Sequence, residues 1–115
     1  MSTRMHTVNL KQGLPTVEEA RRRLAAELAR ARAANTSVIK IIHGYGSTGQ
    51  GGSLRQALRR SLAHRRKEGA IREFLPGERF SMFDPLAAEL IRDHPELQHD
   101  SDRERDNEGI TLVFL

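Results

Sequence analysis

One histidine stands directly before a run of glycines, and this is the stretch of the chain best suited to chemistry. His43 follows an apolar segment and precedes Gly44, Gly46, Gly49, Gly51 and Gly52. An imidazole can hold a phosphate when it is protonated, and near neutral pH it can act as a general acid or base. It can equally hydrogen-bond the turn and fix its shape. His43 is therefore the candidate catalytic residue, with the turn-fixing role as the alternative.

The glycine-rich segment is predicted to bind phosphate. Positions without a Cβ let the backbone take positive φ and approach another molecule closely, and the free amides of a following helix would point into the same concavity. We place the start of that helix at Ser53, as its N-cap. The spacing lacks the acidic residue of a dinucleotide motif and the Lys-Ser or Lys-Thr of a P-loop. The predicted phosphate-binding residues are Gly44, Tyr45, Gly46, Ser47, Thr48, Gly49, Gly51 and Gly52.

Charge is distributed unevenly along the 115 residues. Residues 1–75 hold 15 Lys or Arg against 5 Asp or Glu, a net charge of +10, whereas residues 76–115 hold 4 against 10, a net charge of −6. Arg55 and Arg59 are four residues apart, so on a helix they project together behind the glycine loop and add to its phosphate site. This polarity predicts a basic face for a polyanion, or simply two solvated faces.

Composition excludes several classes of function. The chain has no cysteine, which removes disulfide, redox-thiol and thiolate-metal chemistry, and one Tyr with four Phe leaves few platforms for stacking bases. No apolar run is long enough to span a membrane, so we expect a soluble, cytoplasmic domain. The acidic segment 93–106 matches no calcium or zinc spacing and is predicted to be a solvated loop with no metal site. Lys40 is predicted to face solvent.

The elements that position these residues alternate between strand and helix. Strands are predicted at 7–10, 38–42, 70–75 and 110–115, and the second of these should be the most buried. Helices are predicted from a Thr16 and Glu19 capping box to about Ala34, over 53–67, and after the Asp84-Pro85 pair. The order β-α-β-α-β-(α)-β predicts an α/β fold, a two-layer sandwich on a mixed four-stranded sheet.

The His-Gly-x-Gly segment after an isoleucine-rich strand resembles the signature loop of the small MutS-related (Smr) domain family. The opening strand from Val8, the helix from Thr16 and the closing strand after Gly109 also resemble that family. The resemblance implies a sheet like that of the C-terminal domain of translation initiation factor three. It covers roughly residues 8–74 and 109–115. Where the family's first motif carries Asp and His, this chain has Asn9, Lys11 and Gln12.

The resemblance implies binding of DNA or RNA and, in the family, cleavage of nucleic acid. Lys11 can contact a phosphate but is a poor base or metal ligand, so we predict a nucleic-acid-binding domain, with endonuclease activity as a further hypothesis. No cofactor is predicted with certainty; Mg²⁺ or Mn²⁺ would accompany cleavage. We expect one domain over 1–115, with a core of 7–75 and 109–115 and an insertion at 76–108. The alternative is a protein-interaction module that docks a partner through residues 84–108.

Overall fold

The computed structural model describes residues 4–45 and 51–115, in which strands and helices alternate in the predicted order. The elements are β1 (Met5–Asn9), α1 (Val17–Ala33), β2 (Val38–Ile42), α2 (Gly51–Lys67), β3 (Glu73–Pro76), α3 (Pro85–Asp93) and β4 (Ile110–Phe114), with short 3₁₀ helices at Gly77–Arg79 and Pro95–His99. Among these residues, no helix is long and apolar enough to cross a membrane.

Within the described residues the strands form one mixed sheet in the order β1-β2-β4-β3. β1 runs parallel to β2, with Val8 opposite Ile41, and β4 runs antiparallel to both of its neighbours. The prediction of a mixed four-stranded α/β sheet is confirmed. The prediction that β2 is the most buried strand is wrong, because all five residues of β4 are buried, whereas Ile42 at the end of β2 is half-buried.

Helices α1 and α2 cover one face of the sheet. Side chains alternate along β2, so Ile39 and Ile41 point toward these helices, and Val113 of β4 joins them. The apolar side chains of α1 and α2 recur every three to four residues, so each helix buries one side against these strand residues. The buried members of this first core are Val8, Leu10, Ala20, Leu24, Leu28, Ala31, Ile39, Ile41, Leu54, Leu58, Leu62, Ile71 and Val113.

A second core lies on the opposite face of the sheet, where the chain between β3 and β4 returns across the strands. Helix α3 and the 3₁₀ helix at Pro95–His99 supply its outer layer. The region predicted as an insertion therefore covers this face. The buried members are Val38, Leu75, Phe80, Ala87, Leu90, Ile91, Leu97, Leu112 and Phe114.

This second layer corrects two predictions from the sequence. Lys40 lies on the same face of β2 as Val38, and its side chain is only 10% exposed because the chain after α3 folds over it. Its Nζ donates to Asp100 at 2.7 Å and to Asp102 at 2.6 Å. Lys40 is thus not solvent-facing, and this part of the acidic loop is not simply solvated, because its carboxylates neutralise a buried cation.

The helix caps show how local sequence sets the boundaries. Thr16 caps α1 by accepting from the Glu19 N–H at 3.1 Å, and Asp84 caps α3 by accepting from the Ala87 N–H at 3.0 Å, both as predicted. Ser53 is not an N-cap, because α2 already begins at Gly51 and places Ser53 in its first turn. β3 begins at Glu73 rather than at residue 70.

Candidate nucleic-acid interface

The carboxyl ends of β1 and β2 meet the start of β4 at one edge of the sheet. The Leu10 N–H donates to the Ile42 carbonyl at 2.9 Å, which holds the chain leaving β1 against the end of β2. The N–H groups of His43 and Gly44 both donate to the Gly109 carbonyl, at 3.0 Å each. Open α/β sheets bind ligands outside the carboxyl ends of their strands, and the predicted loop leaves the sheet at this edge.

Gly44 and Lys11 form the open part of this edge. Gly44 has φ +85°, which strongly favours glycine, and a Cβ added there would lie 3.4 Å from Lys11 Cδ. The aliphatic part of the Lys11 side chain therefore lies against the Gly44 backbone. Lys11 is exposed, and its Nζ forms no ion pair with any residue that the structure describes. An unpaired cation beside an accessible backbone is suited to an anion.

His43 lies beneath this surface, and its hydrogen bonds determine its tautomer. The side chain is 1% exposed. Nδ1 is 3.0 Å from the Gly44 carbonyl, which can only accept, so Nδ1 carries a proton. In the neutral ring Nε2 then accepts, and the Thr111 hydroxyl at 2.8 Å donates to it. Both ring nitrogens are thus engaged within the fold.

Arg59 completes this buried network from the α2 side. Its Nε donates to Thr111 Oγ1 at 3.0 Å, and its terminal nitrogens bind the Glu78 carboxylate at 2.8 and 2.7 Å. One of them also donates to the Ile110 carbonyl at 3.1 Å. Burial opposes ionisation of Glu78, but the hydrogen bonds from Arg59 hold the pKa of that carboxyl below its usual value. Arg59 therefore ties α2 to β4 and to the chain after β3.

The surroundings of His43 keep the imidazole neutral. The pKa of His43 is lowered to about 4, with burial as the largest cause. The charges of Arg59 and Arg55 also lower it, and the hydrogen bond to the Gly44 carbonyl and the charge of Glu78 raise it without reversing the shift. At neutral pH the ring is uncharged and hydrogen-bonded on both sides. This geometry matches the turn-fixing alternative, and the catalytic role of His43 stays a prediction.

Arg55 lies closer to solvent than Arg59. Its terminal nitrogen is 3.2 Å from Glu108 Oε2, and the two side chains are 23% and 52% exposed. A pair this exposed contributes at most about 1 kcal/mol, so an incoming phosphate can take the place of the carboxylate. Helix α2 carries no acidic residue in its first turn, so its partial positive charge is not offset there.

The remaining predicted site residues fall into two groups. Tyr45 is 58% exposed, and its ring carbons lie 3.4 Å from the position of a Cβ added to Gly109. Gly51 and Gly52 form the first residues of α2. Tyr45 thus lies beside Gly109, whose carbonyl accepts from the Gly44 N–H. Gly46, Ser47, Thr48 and Gly49 lie outside the described residues.

Sequence reasoning missed the partners that hold this edge together. Thr111, Glu78 and Glu108 bind His43, Arg59 and Arg55, and they are distant from them in sequence. Thr111 is fully buried and is the one polar residue of β4. A lone polar residue in an otherwise apolar strand indicates a buried hydrogen bond, so the sequence did contain a signal for Thr111. Nothing in the sequence pairs either glutamate with its arginine, because only the packing of β3 and β4 beside α2 places them there.

A metal requirement is not supported by the side chains in the described part of the chain. There, no three His, Asp or Glu side chains are grouped so that they could hold a metal ion. Asp100 and Asp102, the acidic residues of the loop that are best placed together, are paired with Lys40.

Comparisons with known proteins show which family and which solved structure this chain is similar to. The family model described as "Smr domain" matches residues 10–80, more than half of the chain. The crystal structure of the Smr domain of Thermus thermophilus MutS2 superposes with a TM-score of 0.59 and is 26% identical, covering 96% of each chain. Comparison with curated protein sequences gives no match.

Proposed function

Because this chain belongs to the Smr domain family, we propose that it binds the phosphate backbone of DNA or RNA at the edge formed by the ends of β1 and β2 and the start of α2. Lys11, Gly44, Tyr45 and Arg55 form the described part of this interface. We call these four residues the phosphate edge.

The position of Lys11 carries this proposal. Its stem packs against a glycine whose φ is +85°, and its ammonium group forms no ion pair within the described residues. Arg55 can exchange Glu108 for a phosphate at little cost, and the first turn of α2 has no acidic residue to repel one. Cations and backbone amides recognise phosphate oxygens without reading bases, so we expect binding that is largely independent of sequence.

Arg59 has a structural part in this proposal rather than a contact with nucleic acid. Its donors are directed to Thr111, Glu78 and the Ile110 carbonyl, and releasing them would leave a partly buried carboxylate without its cation. The proposed phosphate contact on α2 is therefore made by Arg55, and Arg59 holds α2 in place.

Cleavage requires a group that activates water, and His43 is the candidate that the sequence supplied. Its Nε2 is occupied by the Thr111 hydroxyl and its side chain is 1% exposed. A general base must come within hydrogen-bond reach of the proton that it removes. The proposal is therefore binding, and endonuclease activity remains a prediction to be scored in the same experiment.

The test is fluorescence anisotropy with labelled single-stranded and duplex DNA and RNA of unrelated sequences, titrated at several salt concentrations. Lys11→Gln and Arg55→Gln should each weaken binding to all sequences alike. Each should also lower the slope of log K against log salt by about 0.7 to 0.9, the contribution of one phosphate contact. Gel analysis of the same mixtures, with and without Mg²⁺ or Mn²⁺, scores cleavage.

Arg92→Gln is the matched control, because Arg92 is exposed on α3 at the opposite face of the sheet. It removes the same charge and should leave the slope unchanged. Equal losses for Arg92→Gln and Lys11→Gln would show that only net charge matters. Absence of binding by the unmodified protein at low salt would reject the proposal and favour the protein-interaction module.

A further inference from the structure

Two neighbouring apolar side chains project into solvent from the turn that precedes α3. Phe83 is 93% exposed and Met82 is 46% exposed. The other phenylalanines are packed: Phe80 and Phe114 are buried, and Phe74 is half-buried beneath Arg66. The Phe83 ring therefore offers a free apolar face, and a planar ring of this kind can stack on another ring.

The turn that carries Phe83 is braced by its own polar groups. The Glu104 carboxylate accepts from the Ser81 hydroxyl at 3.0 Å and from the Met82 N–H at 2.7 Å. The Phe83 N–H donates to Ser81 Oγ at 3.1 Å. The following residue, Asp84, caps α3 and binds Arg79. A ring presented from a braced turn loses little conformational entropy when it binds, which favours recognition.

The strand that leads into this turn ends on the same side of the sheet as the phosphate edge. β3 runs antiparallel to β4, as β2 does, so β3 ends on the side where β2 ends. Gly77, directly after β3, packs so tightly that a Cβ added there would lie 2.1 Å from the Asn107 carbonyl oxygen and 2.5 Å from Ile110 Cγ1. The Glu104 N–H donates to the Phe80 carbonyl at 2.9 Å, which anchors the turn to the loop before β4.

The charges around the ring favour a base over a phosphate. Residues 77–84 and 103–106 hold three arginines against four acidic residues, of which Glu78 is paired with Arg59, so they carry no excess of positive charge for a phosphate. The patch is also too small for a stable protein interface, which buries about 800 Å² on each partner, whereas one aromatic side chain supplies about 150 to 250 Å². An aromatic ring of this size matches the face of one base.

We propose that Phe83 stacks on an unpaired nucleobase while the phosphate edge holds the backbone, so that the domain prefers single-stranded nucleic acid to continuous duplex. This inference rests on the proposed function. In a duplex both faces of each base are already stacked and a side chain must displace a neighbour, whereas a single strand offers the face freely.

The test compares Phe83→Ala with the unmodified protein on single-stranded and duplex oligonucleotides. Phe83→Ala should weaken single-strand binding about 10-fold and leave duplex binding and the salt slope unchanged, because stacking releases no counterions. Phe83→Tyr keeps the ring and should keep the affinity, and Met82→Ala serves as the neighbouring control. A 2-aminopurine in the single strand reports stacking directly, and its quenching on binding should be lost with Phe83→Ala.

The other possible outcomes distinguish a failure of the stacking inference from a failure of the proposed function. If Lys11→Gln weakens binding while Phe83→Ala changes neither affinity nor 2-aminopurine quenching, the stacking inference is wrong and the proposed function stands. If sedimentation shows that Phe83→Ala separates a dimer, the patch contacts a second copy and the inference is overturned. If the unmodified protein binds neither strand nor duplex, both fail. Circular dichroism checks the fold of each variant, which a residue this exposed should leave intact.

Discussion

At the scale of single residues, the network of His43, Thr111 and Arg59 sets the shape of the phosphate edge. The Thr111 hydroxyl receives a hydrogen bond from Arg59 and gives one to His43, and His43 in turn donates to the Gly44 carbonyl. The chain of donors thus runs from α2 through β4 to the first residue of the glycine loop. The neutral imidazole accepts the Thr111 hydroxyl hydrogen at Nε2, whereas protonation would turn Nε2 into a donor and leave that hydroxyl hydrogen without this acceptor.

The first prediction is that acid destabilises the protein through His43. Its pKa is lowered from 6.5 to about 4 in the fold, so between these values the unfolded chain binds more protons than the folded one. The free energy of unfolding should therefore be largest above pH 6.5 and fall by up to about 3 kcal/mol as the pH drops to 4. Urea denaturation at a series of pH values measures this.

His43→Gln should flatten the decline, since glutamine does not titrate but can still donate and accept. His99→Gln, at an exposed histidine, should retain it. His94, whose pKa burial also lowers, contributes in the same window, so the informative quantity is the difference between variants. A decline of equal size in His43→Gln would assign the acid sensitivity to other groups.

At the scale of elements, β2 divides its side chains between two environments. Ile39 and Ile41 enter the core beneath α1 and α2, whereas Val38 and Lys40 face α3 and the loop that follows it. The apolar residues need only burial, but Lys40 needs anions at hydrogen-bond distance. The acidic loop supplies two of them, and the Asn107 side chain then links Asp102 to the Gly109 turn beside Gly44.

The second prediction concerns this buried ion pair. Lys40→Met keeps the length of the side chain but leaves the partly buried carboxylates of Asp100 and Asp102 without a cation, and should lower the free energy of unfolding by up to about 3 kcal/mol. Lys67→Met, at an exposed lysine that ends α2, should change it by less than about 0.5 kcal/mol. Both are measured by urea denaturation. A Lys40→Met protein as stable as the parent would show that solvent already screens the carboxylates.

At the scale of the whole molecule, one sheet joins two cores and separates two surfaces of opposite charge. The arginine-rich helices cover one face, and the acidic chain from residue 76 onward supplies the cover of the other. The radius of gyration, 13.3 Å, is the value expected for a compact chain of this length. Because β2 and β4 contribute to both cores, we expect neither core to persist without the other.

The third prediction is that the chain between β3 and β4 unfolds together with the rest. Leu97 is fully buried in the second core, so Leu97→Ala should lower the free energy of unfolding by about 2 to 5 kcal/mol within a single transition of unchanged m-value. Leu14→Ala, at a side chain that is 77% exposed, is the control and should have little effect. An additional early transition in Leu97→Ala would show that this segment is a dispensable insertion.

The sequence by itself determined the features that depend on near neighbours in the chain. The apolar run of β2, the Thr16 cap of α1 and the Asp84-Pro85 start of α3 were predicted correctly, because periodicity and capping act within a few residues. Tertiary structure alone decided the surroundings of Lys40, His43 and Arg59. Apart from the Gly44 carbonyl beside His43, their side-chain partners lie between 19 and 68 residues away along the chain. Burial of a polar group is decided by which distant segment covers it, and no local pattern records that.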